Sequence, residues 1–88
     1  MFYVCDCESL TNLNLSNFNT QNVTNMYGMF CNCESLTNLN LSNFNTQKVE
    51  DIFGMFDGCE SLKIGNVITT DNKIIEQLQK AKIFNIYY

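Results

Sequence analysis

The chain has no histidine and no arginine, and its 88 residues carry five lysines against nine acidic side chains. Before Lys48 there is no basic side chain at all. Nucleic-acid recognition needs clustered Lys or Arg, so a net charge of −4 with a cation-free first half excludes that class of partner. The missing histidine removes the commonest general base, which argues against an enzyme. Long apolar runs are also absent. No segment approaches the roughly 18 consecutive apolar residues of a membrane span, so none is expected. The opening MFYVCDCESL has neither a basic region nor a sustained apolar stretch and does not read as a signal peptide. At this length the chain is one domain at most.

What is present is repetition. Cys7–Gln21 and Cys33–Gln47 share the same fifteen letters, CESLTNLNLSNFNTQ, at an offset of 26 residues, and a third copy opens at Cys59 with CESL before departing after Leu62. Periods of about 20–50 residues mark repeat architectures, in which one unit cannot bury its apolar face alone. Residues 1–62 therefore read as two full repeats and the start of a third. Residues 63–88 read as a divergent C-terminal cap or tail.

The letters of the unit assign its faces. Leu10, Leu13 and Leu15, and again Leu36, Leu39 and Leu41, follow the L-x-x-L-x-L strand pattern of leucine-rich repeats. Residues two apart in a strand share a face, so Leu13 and Leu15 point inward while Asn12, Asn14 and Ser16 point outward. A turn follows near Ser16–Asn19, since Ser and Asn bond locally to the backbone. Positions that change between copies but keep their chemistry, Met26 to Ile52 and Tyr27 to Phe53, read as core. Those that change freely, such as Asn22 to Lys48 and Thr24 to Glu50, read as solvated. Leu36, Leu39, Leu41, Phe44, Val49, Ile52, Met55, Phe56 and Cys59 are the expected core of one turn, and Phe18 and Phe30 are expected to pack as Phe44 and Phe56 do. The strict offset predicts parallel stacking with Leu13 over Leu39 and Leu15 over Leu41.

The tail carries different signals. Lys63–Thr70 keeps strand-like residues without the Leu spacing. Asp71 is a helix N-cap candidate for Asn72–Ala81, with Ile74, Ile75, Leu78 and Ala81 on one face, and Lys82–Tyr88 reads as a strand.

Five cysteines form two C-x-C pairs, Cys5/Cys7 and Cys31/Cys33, plus Cys59. Zinc binding is one reading and a disulfide another. Cys7, Cys33 and Cys59 fall on the period, which duplication already explains, and free Cys is often buried. Structural thiols are therefore the expectation, with no metal and no cofactor. Glu50–Asp51 lies at variable positions and reads as a solvated face. The fourteen asparagines read as turn and outer-strand residues because the Leu and Phe positions are too regular for a low-complexity tract.

The arrangement M-F-x-x-C-x-S-L-T-x-L-x-L-S-x-F-N-T-x-x-V-x-x-M resembles the 26-residue repeat of bacterial surface proteins in the BspA-like leucine-rich repeat group. It is carried by Met29, Phe30, Cys33, Ser35, Leu36, Thr37, Leu39, Leu41, Ser42, Phe44, Asn45, Thr46 and Val49, with Ile52 in place of the last Met. The resemblance implies a leucine-rich-repeat β-solenoid of short parallel strands, on the cell surface or secreted, non-enzymatic and adhesive toward host or extracellular-matrix proteins. The outward ladder Asn12, Asn14, Asn38 and Asn40 is the expected binding surface. The alternatives are an incomplete fragment of a longer array without activity of its own, and a thiol-based metal-binding protein. The oligomeric state is not legible.

Overall fold

The structure, a computed structural model, describes residues 7–81. The expected strand Lys82–Tyr88 and Cys5 lie outside the described residues. Three short strands, β1 (Asn12–Asn14), β2 (Asn38–Asn40) and β3 (Val67–Ile68), form one open parallel sheet in that order, followed by a single helix, α1 (Asn72–Lys80). The offset of 26 sets the first pairing: Asn12, Leu13 and Asn14 lie opposite Asn38, Leu39 and Asn40. Between β2 and β3 the offset grows to 28, with Leu39 opposite Val67. The two extra residues are taken up in a 3-10 turn at Ile64–Asn66. Past β3 the earlier spacing returns. Thr20 bonds through its hydroxyl to Asn45, and Thr46 bonds to Asp71, each 25 residues on.

Each repeat turns back to meet the next along a second line of hydrogen bonds. The N–H groups of Met26, Gly28, Phe30 and Asn32 donate to the carbonyls of Asp51, Phe53, Met55 and Asp57, and that of Glu50 donates to Thr24. The Cys–Leu corner is the same in all three copies: Leu10, Leu36 and Leu62 donate to Cys7, Cys33 and Cys59. Just before this corner Asn32 (φ 59°) and Gly58 (φ 81°) occupy the left-handed region. A Cβ on Gly58 would stand 3.1 Å from the backbone of Asn32, so this close approach between repeats requires glycine.

All nine core positions expected for the second turn are buried, and Phe30 stacks on Phe56 with ring centroids 5.7 Å apart. Two aromatic assignments are corrected. Tyr27 and Phe53 are 55% and 59% exposed, not core. Each follows a buried residue, Met26 or Ile52, and so points to the other side, and their shared chemistry reflects equivalent outer positions of the two repeats. The Lys80 ammonium lies 5.6 Å over the Phe53 ring. Phe18 is 42% exposed where its copy Phe44 is 7% exposed, because Phe44 has a repeat on either side and Phe18 lies at the end of the described stack.

The helix is one residue shorter than expected, with Ala81 as its C-cap. Asp71 is its N-cap, accepting from the N–H groups of Lys73 and Ile74. Ile74 and Leu78 are fully buried. Gln77 joins them inside, while Ile75 is only half-buried, since the i, i+3, i+4 face runs 74, 77, 78.

Cys33 and Cys59 are buried thiols outside any disulfide, and Cys7 is a half-buried one. Cys31 departs from the structural-thiol expectation: it is disulfide-bonded, with its partner outside the described residues. The Cys59 thiol donates to the Phe30 carbonyl at 3.0 Å. Burial, reinforced by the neighbouring Cys33, pushes it from 9.0 up to about 12. Between about pH 9 and pH 12 the unfolded chain releases this proton and the folded chain keeps it. Stability therefore falls as pH rises through that window, while below it the contribution is fully present. Denaturant melts at pH 7 and at roughly pH 10.5 are expected to show a larger alkaline loss for the parent than for Cys59→Ala. Equal losses would refute a buried protonated thiol.

Candidate functional site

Strand alternation turns the asparagines of β1 and β2 to the outer face of the sheet. Register places them in two rows. Asn12 and Asn38 form one, continued by Asn66, and Asn14, Asn40 and Ile68 form the other. Between them runs a groove of about 420 Å³ lined by both rows, the strand leucines and Gly65. The 3-10 turn at Ile64–Asn66 contributes Gly65 and Asn66 and so forms one wall.

The four asparagines expected to bind are brought together, but they are not equivalent. Asn38 donates from Nδ2 to Asn12 Oδ1 at 2.7 Å, an amide ladder between repeats. Asn14 and Asn40 each accept through Oδ1 from the backbone N–H two residues on, Ser16 at 2.9 Å and Ser42 at 3.0 Å. These are Asx turns. The same device recurs at Asn19, Asn25, Asn45 and Asp51. Asparagine thus builds the corners of the repeat, and the amide donors of Asn14 and Asn40 are left for a ligand.

Sequence reasoning missed Gly65, Asn66 and Ile68, the last 56% exposed. The outward parity of Asn66 and Ile68 was present in GNVITT, but the 28-residue offset that aligns them with Asn38 and Asn40 was not. No titratable side chain lines the groove. Its chemistry is that of amide donors and acceptors beside one aliphatic side chain, suited to backbone amides or hydroxyls. Among the described residues no group of three or more His, Cys, Asp or Glu is placed to hold a metal ion, and no helix is long and apolar enough to cross a membrane.

In-register 26-residue repeats, a small open parallel sheet and an uncharged outer face define a repeat protein. Residues 1–86 match the family model described as Mycoplasma protein of unknown function, DUF285, and the chain belongs to that family. No curated protein and no solved structure matches it.

Proposed function

We propose that the chain is a leucine-rich-repeat β-solenoid of BspA-like kind. It acts as a non-enzymatic, adhesion-type protein-binding module of a cell-surface or secreted protein. The observation that carries this reading is the uncharged groove on the sheet, built by two rows of repeat asparagines with no titratable group among its lining residues. Such a face matches the unpaired backbone amides of an extended peptide, with Ile68 offering one apolar contact. Membership of a repeat family supports the array architecture. The partner is a protein of host or extracellular-matrix type, and nucleic acid is excluded by the charge pattern.

Stable interfaces bury about 800 Å² per partner, more than two turns of outward strand residues supply, so binding by this chain alone is expected to be weak. Added repeats contribute surface linearly and act together. The test is titration of this chain, and of an array lengthened by spliced copies of residues 29–54, against one immobilised extracellular-matrix protein. The longer array is expected to bind more tightly, and Asn14→Asp with Asn40→Asp, which keep the turn acceptor and remove the free amide donor, to weaken both. Equal affinities, or no effect of the substitutions, would overturn the extended-face mechanism.

A further inference from the structure

The two ends of the repeat stack are built differently. At the C-terminal end the 3-10 turn walls the groove and α1 buries Ile74 and Leu78 against the core. Asp71 and Lys73 occupy the backbone N–H of Thr46 and the carbonyls of Thr46 and Val49. At the other end β1 is an edge strand among the described residues. Leu10, Leu13 and Val23 are only half-buried there, while their copies Leu36, Leu39 and Val49 are buried.

The hydrogen-bond parity of β1 is specific. Towards β2 the strand uses the Thr11 carbonyl, which accepts from Asn38, and the Leu15 N–H, which donates to Asn40. Parallel ladders use alternate residues, so Leu13 completes this set. The N–H and C=O groups of Asn12 and Asn14 therefore face the open edge. An antiparallel partner exchanges both bonds at every second residue pair. The sequence Asn12-Leu13-Asn14 reads the same in both directions. Two copies of β1 meeting about a two-fold axis at Leu13 would pair Asn12 with Asn14 of the other copy, twice. That uses the free backbone groups and no others. A two-fold interface requires such self-complementarity. Head-to-tail growth is disfavoured because Asp71 and Lys73 already occupy backbone groups of Thr46 and Val49 at the far end.

We propose that this chain self-associates through β1 into a two-fold dimer with a continuous six-stranded sheet, Leu13 packing on Leu13 of the second copy. The dimer joins two outer asparagine faces into one. Glu8 and Glu34 are the only charged side chains from residue 7 to residue 47, so the ends that meet carry like charge and salt should strengthen the association.

The experiment is sedimentation velocity of the full chain across concentration at low and high salt. A non-reducing gel excludes a dimer linked through Cys7. The expected result is a reversible shift towards twice the 10.1 kDa chain mass, stronger at high salt. Asn12→Pro removes an N–H used only at the open edge and should leave a folded monomer, checked by circular dichroism. Leu13→Lys and Leu13→Glu should each be monomeric alone and form a heterodimer when mixed. A parent chain that stays monomeric at all concentrations would overturn the proposal and leave the β1 edge to a preceding repeat. A dimer that survives Asn12→Pro, or charge variants that fail to recombine, would place the interface elsewhere and overturn it equally.

Discussion

Asp71→Ala is expected to destabilise the chain by about 3 kcal/mol and lower its melting temperature by roughly 15 °C. The size follows from two roles held by one carboxylate. Its Oδ1 accepts from the N–H groups of Lys73 and Ile74, which caps α1. Losing such a cap costs about 1 kcal/mol. Both oxygens also accept from the Thr46 hydroxyl, at 2.8 and 2.7 Å, and Thr46 is 3% exposed. Stranding that buried hydroxyl adds about 1–3 kcal/mol. Asp71→Asn keeps a good cap but exchanges one acceptor for a donor, so it should fall between the two. Thr46→Val combined with Asp71→Ala should cost less than the sum of the single changes, because the residues share one interaction. Thermal melts of the four chains check this. A parent-like melt for Asp71→Ala would mean that the helix does not hold the C-terminal end of the stack.

Leu39→Asp is expected to abolish folding, while Asn38→Asp, its neighbour in the chain, leaves the melt within about 1 kcal/mol of the parent. Leu39 is 1% exposed, between Leu13 on one side and Val67 on the other. Among the described residues no buried side chain is a cation that could receive a carboxylate. Burying it unpaired, with the leucine packing lost as well, costs more than the few kcal/mol that hold a small domain together. Asn38 is exposed and loses only two surface bonds, the 2.7 Å one to Asn12 and a 3.3 Å one to Thr37. Far-ultraviolet circular dichroism and denaturant melts of both variants decide the matter. Similar curves would refute the inward and outward assignment of the strand.

The exact 26-residue duplication made the pairing of Leu13 with Leu39 legible, because identical units stack only in register. The strand parity of N-L-N made the outer asparagines legible. Asp71 and the apolar face behind it made α1 legible to within one residue. Tyr27 and Phe53 misled, because conservative exchange between copies describes any stacked column, buried or exposed. Ile75 misled because a nine-residue helix can turn either of two adjacent isoleucines inward, and only its docking on the second repeat selects Ile74.

The sequence by itself determined the repeat, its parallel register over the first two strands and its inward-facing leucines, since periodicity is a property of the chain alone. Only the tertiary structure decided the rest. The 28-residue step to β3 depends on how Ile64–Asn66 folds, and it brings Asn66 and Ile68 to the groove. The Asx turns of Asn14 and Asn40 are local, but the ladder bond between Asn12 and Asn38 spans 26 residues and exists only once the repeats have stacked.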